Sequence, residues 1–184
     1  TLLLSSAASD VYKRQPQNDT KQAVLQIGAI PDQNPEKLNR LYGTLSEELS
    51  EKLDVPVRYA PVSNYAAAVS AFRTGSLDLV WFGGLTGVQA RLQTPGARVL
   101  VQRDIDAEFT SVFIANGASG LRPFTSADQL VELKGRRLAF GSESSTSGRL
   151  MPQYFMGEMG VKPEDLAGGG PGFSGSHDAT IALV

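Results

Sequence analysis

The chain has 184 residues, 41% of them hydrophobic and 20% charged, the balance of one soluble domain or two small lobes and not of a disordered or fibrous chain. With no cysteine and a single histidine, disulfide frameworks and thiolate or histidine-rich metal centres drop out, and no metal or cofactor is expected. The net charge of −2 is spread without a basic stripe, which speaks against a nucleic-acid partner, and no apolar run reaches the roughly 18 to 20 residues that cross a bilayer.

Residues 1–20 are set aside as a leader. Leu2-Leu3-Leu4 before Ser5-Ser6-Ala7-Ala8-Ser9 has the look of a signal-peptide tail, while SSAASDVYKRQ also has the look of translated adapter sequence. Pattern begins at Ala23 with AVLQIGAIP, a buried strand through Val24, Leu25, Ile27 and Ile30. Asn34 then caps a helix with Pro35 at its first position and Leu38, Leu41, Tyr42, Leu45, Leu49 and Leu53 at helical spacing. VPVRYAPV is the next strand, and Ser63 or Asn64 caps a shorter helix bearing Tyr65, Val69 and Phe72 that stops at Gly75.

LDLVWFGG is a continuous apolar strand suited to a parallel sheet covered on both faces, ending at Gly83-Gly84, with a helix from Thr86 to about Gln93. ARVLVQR and FTSVFIAN are expected as two further strands, with a change of lobe between them near Asp104 to Glu108. A capped helix from Ser126 turns Leu130 and Leu133 inward and closes at Gly135, before the strand RRLAFGS. The following helix is expected to present Leu150, Met151, Tyr154, Phe155 and Met159 on one side and to end at Gly160. A glycine-rich stretch leads to a last helix from Ser176-His177-Asp178, whose apolar ending at Val184 suggests that the natural protein continues. Alternating strands and helices give an α/β fold with mainly parallel sheets: a first lobe over 21–106 and an incomplete second lobe over 107–184.

Between the strand RRLAFGS and its helix lies Ser144-Ser145-Thr146-Ser147-Gly148. Backbone N–H groups and hydroxyls gathered at a helix N-terminus make an anion site, although the same residues also suit a simple N-cap with a solvated loop. The helix terminus offers roughly 0.3 to 1 kcal/mol when exposed, and each hydrogen bond to a charged ligand about 1.5 to 3 kcal/mol. Three or four such bonds support binding near the micromolar level, about −8 kcal/mol. Asn64-Tyr65, Trp81-Phe82-Gly83 and Ser176-His177-Asp178 occupy equivalent strand-to-helix turns, where open α/β sheets bind ligands. Tyr65, Trp81 and Phe82 also fit a core role, and His177 a helix-start role.

Taken together, the tyrosine of VSNYAAAV, the strand end DLVWFGG, the hydroxyl run of SSTSGRLMPQYF and the histidine of GSHDAT make the chain from about residue 24 onward resemble the phosphonate-binding family of ABC-transporter solute-binding proteins. DAEFTSVF is similar to the selenate-binding branch of that family. The resemblance implies a bilobal periplasmic-binding-protein fold of type II, interrupted within the second lobe. It implies a monomeric protein, periplasmic or lipid-anchored outside the cytoplasm, that captures a small tetrahedral oxyanion (phosphonate, phosphite, phosphate or selenate-like) for a membrane permease. It also implies that Tyr65, Ser145, Thr146, Ser147 and His177 contact the anion, that Gly148 shapes the start of the helix, and that Phe82 stands where phosphonate binders carry a tyrosine. That departure removes one hydroxyl donor, so the head-group preference stays open. The alternatives are a ligand-sensing domain of a receptor and, on the strength of hydroxyls beside a histidine, an enzyme; no GxSxG, Walker A or HExxH pattern supports the latter.

Overall fold

The computed structural model describes residues 23–184, so the leader expected at 1–20 lies outside the described residues. Strand β1 (Leu25–Ala29) runs between β2 (Val57–Tyr59) and β3 (Leu79–Trp81), parallel to both. Parallel neighbours need a crossover. Helices α1 (Pro35–Leu53) and α2 (Tyr65–Arg73) supply the two crossovers, and α3 (Gly84–Gln93) follows β3. Successive residues of a strand face opposite sides, and β1 shows this directly: Ala29 packs with Leu38 and Tyr42 of α1, while Ile30, just past its end, packs with Tyr65 and Ala68 of α2.

A second, shorter sheet pairs β4 (Ala139–Phe140) with β5 (Gly172–Phe173), again in parallel. Between them run α4 (Met151–Glu158) and its connections, and α5 (His177–Ala182) follows β5. Leu130, Leu133, Phe140, Met156, Val161 and Leu166 form a separate core beneath this sheet. The α/β architecture with parallel sheets and flanking helices is the one expected.

Local chemistry fixes the helix starts. The Asn34 side chain accepts from the amides of Glu36 (2.9 Å) and Lys37 (3.4 Å), with Pro35 at the first helical position. Asn64 accepts from the Ala67 amide at 2.8 Å and Ser176 from Ala179 at 3.2 Å.

Several expectations are corrected. ARVLVQR and FTSVFIAN form no strands. No described strand lies alongside to share their hydrogen bonds, and Val112 is 77% exposed; β-branched composition confers the capacity to pair, not a partner. Phe113 alone of the second segment reaches the core. Residues Ala127–Leu133 wind as 3₁₀ turns, not an α-helix, although Leu130 and Leu133 do point inward. On α1 the buried residues are Leu38, Tyr42 and Ser46, and Leu41 is 57% exposed because no described residue covers the strip between α1 and Trp81.

Of the face expected on α4, Met159 packs against the core, but Met151, Tyr154 and Phe155 are exposed. Pro152 and Met156 point inward, while Tyr154 and Phe155 stack edge to face at 5.4 Å on the outside. One π turn over Thr146–Leu150 precedes this helix. The β5 strand lies inside the glycine-rich stretch and was not expected. Met156, 2% exposed, should therefore cost about 2–5 kcal/mol when replaced by alanine, whereas Tyr154→Ala should cost about 1 kcal/mol or less. Urea denaturation of the two variants checks this, and equal losses would mean that the outer face is the packed one.

Candidate functional site

Every strand of both sheets ends at a turn that starts a helix, so parallel pairing collects five such turns along two sheet edges. The first sheet contributes Asp32 to Asn34, Asn64-Tyr65 and Phe82 to Gly84, and the second Ser142 to Ser147 and Ser176 to Asp178. Hydrogen bonds join the two edges directly. The Leu85 amide donates to Thr146 Oγ1 at 2.8 Å, the His177 amide donates to the Asp32 carbonyl at 3.0 Å, and the Asn34 amide donates to Asp178 Oδ2 at 2.6 Å. The structure thus brings Thr146 and His177, from the second sheet, against turns of the first.

Ser145 is 3% exposed and its Oγ accepts the Gly148 amide at 2.9 Å, which makes it the cap of the π turn. The cap and anion readings of this segment are compatible. A hydroxyl has two acceptor lone pairs and one hydrogen; accepting a backbone N–H takes one lone pair of Ser145 Oγ and one of Thr146 Oγ1 and leaves the hydrogen out of that bond, Ser145 having the Tyr65 phenol as a neighbour for its own. The amides of Thr146 and Ser147 open the turn and have no carbonyl one turn back to bond. Ser147 contributes its carbonyl to the Ser111 hydroxyl at 2.8 Å. Gly148 admits no side chain: a Cβ there would lie 2.9 Å from Ser145 Oγ and 3.4 Å from the Gly141 backbone. Gly84 faces Thr146 in the same manner, since its Cβ would meet Thr146 Oγ1 at 3.2 Å.

Tyr65 opens α2 and is 3% exposed. Burial, together with the charge of Asp32, pushes its phenol up to about 12, eased in part by the neighbouring Ser145 hydroxyl. The phenol therefore remains a neutral donor at physiological pH. Phe82 lies differently from the other candidates: its ring meets Phe72 edge to face at 5.7 Å and packs with the Ile30, Tyr65 and Ala68 core. Its position matches a wall of the site and offers no hydrogen bond.

Asp32, in the connection from β1 to α1, is not among the residues that the sequence singles out. It is half-buried, and desolvation raises its carboxyl above the ordinary 3.8, against the opposing pull of His177, its own backbone amide and Arg103. The same charge reaches Tyr42, Tyr59 and Tyr65. Only one signal in the sequence pointed to it: Asp32 follows β1 as Tyr65 follows β2 and Ser145 follows β4. Asp178 was noted at its helix start, but its link to the Asn34 amide is visible only in three dimensions.

An open groove of about 370 Å³ lies elsewhere, between α1 and Trp81, lined by Leu41, Tyr42, Leu45 and Arg103 among others. It is mainly apolar; Arg103 sits 5.4 Å over the Trp81 ring and pairs with Asp106 at 2.6 Å. Its chemistry does not suit a small oxyanion. Among the described residues no cluster of three or more metal-ligating side chains occurs, and no helix is long and apolar enough to cross a membrane.

A raised carboxyl value means that the folded chain holds the Asp32 proton more tightly than the unfolded chain does. Stability falls as pH rises from about 3.8 through the raised value, and the cost persists at neutral pH. Asp32→Asn should accordingly raise the denaturation midpoint of the unliganded protein at neutral pH; a lower midpoint would show the carboxylate to be stabilising. For Tyr65 the contribution is present below about pH 10, the unfolded value, and disappears as pH rises to about 12. A phenolate absorbance titration should lose a late-ionising group in Tyr65→Phe.

Residues 27–184 match the family described as ABC transporter, phosphonate, periplasmic substrate-binding protein. The chain is 54% identical over its whole length to a probable ABC transporter phosphite binding protein, PhnD1, of Prochlorococcus marinus, covering 60% of that protein. It is 28% identical to a phosphate-import protein of Mycolicibacterium smegmatis, over 99% of this chain and 58% of the relative. The crystal structure of the Prochlorococcus marinus PhnD1 in complex with methylphosphonate superposes with a TM-score of 0.86 at 58% identity, over 88% of this chain and 59% of that one. A binding-protein component of a Pseudomonas aeruginosa phosphonate transporter shares the fold, with a TM-score of 0.65 at 21% identity over 85% of this chain and 52% of its own. The chain thus spans about 60% of the length of the first two of these relatives. On the match across residues 27–184, this chain belongs to the periplasmic phosphonate substrate-binding family of ABC transporters.

Proposed function

We propose that the chain forms the oxyanion-capturing part of a solute-binding protein that works outside the cytoplasm, periplasmic or lipid-anchored, and hands its ligand to the membrane permease of an ABC importer. The observation that carries this reading is the pair Ser145 and Thr146. Each accepts one amide, from Gly148 and from Leu85, in a bond that does not use its own hydrogen, so both hydroxyls can donate to an anion where the two sheet edges meet. Tyr65, Ser147 and His177 complete the donor set, Gly148 keeps the turn open, and Phe82 closes one wall without a hydrogen bond. The two halves, 21–106 and 107–184, move as lobes about the Asp104–Glu108 turn, and closure on the anion is what the permease reads.

The ligand class is a small tetrahedral phosphorus oxyanion. The names of two relatives, phosphite binding and phosphate import, and the methylphosphonate held by the similar crystal structure support that class. A binding role is favoured over an enzyme. The relatives support this reading, being named for phosphite binding and phosphate import.

A thermal-shift panel on the full gene product, with phosphate, phosphite, methylphosphonate, sulfate and selenate, tests the reading. A ligand that binds only the folded state adds about 2.7 kcal/mol at a hundredfold excess over Kd, so at least one phosphorus oxyanion should raise Tm. Thr146→Ala and His177→Ala should each weaken that ligand by about tenfold or more with the fold intact. Unchanged affinity in both, measured by calorimetry, would remove the site assignment.

A further inference from the structure

Resting on the proposed capture of a phosphorus oxyanion, we infer that Asp32 determines the specificity of the site: its carboxylate accepts the remaining proton of a hydrogen-bearing phosphorus oxyanion and turns away tetrahedral anions that have no proton to give.

Its placement is fixed from both sides. Asp32 follows β1, the middle strand of the first sheet, and its amide bonds back to the Ile30 carbonyl at 2.9 Å. Its carbonyl takes the His177 amide at 3.0 Å, and two residues on the Asn34 amide takes the Asp178 carboxylate. These bonds hold the Asp32 backbone at the junction where Thr146 also crosses between halves, and its half-buried side chain departs from there.

The groups around it leave its carboxylate without a side-chain donor among the described residues. Tyr42 of α1, Tyr59 of β2 and Tyr65 of α2 are all within reach of its charge, as are Arg103 beyond α3 and His177 and Asp178 of α5. Arg103 gives its Nε and one terminal nitrogen to Asp106, at 3.0 and 2.6 Å. Asp178 is engaged with Asn34. A half-buried carboxylate so placed is unfavourable in the unliganded protein, and the elevated proton affinity of Asp32 reflects it.

The rest of the site supplies hydrogens: hydroxyls from Ser145, Thr146 and Tyr65, and amides of the π turn. A cage of donors alone holds any tetrahedral anion of the right size. An acceptor discriminates, because a P–O–H group donates to it, whereas a fully ionised oxygen meets a like charge at short range. A phosphomonoester's second ionisation at about 6 makes its proton-bearing form a minority at neutral pH, but one only about 1.4 kcal/mol above the ionised form and so open to selection by an acceptor; sulfate and selenate have no proton-bearing form within such reach.

Calorimetric titration of the full gene product and its Asp32→Asn variant with phosphite, methylphosphonate and sulfate at neutral pH decides the matter. The unmodified protein should prefer phosphite or methylphosphonate to sulfate by about tenfold or more. In Asp32→Asn, whose amide can donate to an ionised oxygen, that preference should shrink by about tenfold or more. Asp32→Ala, which removes the acceptor and adds no donor, should narrow the preference as well and provides a second reading should the asparagine variant not fold. An unchanged preference in the variants, with phosphite still bound, overturns the role of Asp32 and leaves the capture of oxyanions standing. Failure of the unmodified protein to bind any phosphorus oxyanion overturns both.

Discussion

The bond from the Leu85 amide to the Thr146 hydroxyl, 2.8 Å long, is where the first sheet meets the second. Leu85 lies in the first turn of α3, where an N–H has no carbonyl within its own helix, so the second half supplies the missing acceptor. Gly83 and Gly84 make this approach feasible by having no side chain on the side that Thr146 occupies. The same logic recurs at His177 and Asp178, which meet the loop after β1 through one backbone and one side-chain bond. Each contact between halves thus uses a polar group that parallel βα topology leaves unpaired at the edge of a sheet. The interface between the halves and the anion site are consequences of one arrangement.

This arrangement determines what kind of donors the site has. Lysine or arginine would bring full charge, whereas the hydroxyls of Ser145, Thr146 and Tyr65 bring dipoles whose directions are set by their other bonds. The Gly148 amide orients Ser145, and the Leu85 amide orients Thr146. Donors already aimed need little reorganisation when the anion arrives, which lowers the entropy cost of binding. The electrostatic bias comes from the open ends of the turns themselves.

Much of this was legible in the sequence where a local rule governs. Asn34 and Asn64 announce α1 and α2 because an N-cap needs only its own next three residues, and the hydroxyl run at 144–147 announces a helix start for the same reason. The strands expected over ARVLVQR and FTSVFIAN failed because pairing is not local: Val99 to Val101 and Val112 have the right composition and no described neighbour to pair with. The face of α4 was misjudged because spacing shows which residues share a face and not which face is covered: Met151, Tyr154 and Phe155 lie together, while the core packs against Met156 and Met159. Conversely β5 escaped notice because Gly172 carries no apolar signal and owes its strand geometry to β4 beside it. Asp32 was illegible for a related reason. A lone aspartate between Pro31 and Gln33 has the look of solvated loop, and the residues that desolvate it come from helices and strands far along the chain.

The unfavourable position of Asp32 is more informative than a favourable one would be. Selection for stability alone removes half-buried charges without partners, because a neutral side chain of the same size folds better. Ser145 and Tyr65 show no such conflict; each serves the fold as a cap or a core residue whether or not an anion binds. Asp32 contributes little to the packing of either core, and its carbonyl bond to the His177 amide would survive replacement of its side chain. A group that costs the empty protein stability, and whose carboxylate has only its own backbone amide as a donor among the described residues, gains a physical reason when something protonated is placed beside it. On the proposed reading, the hydroxyl donors would hold an anion, and the carboxylate would give a reason to hold one kind in preference to another of the same shape.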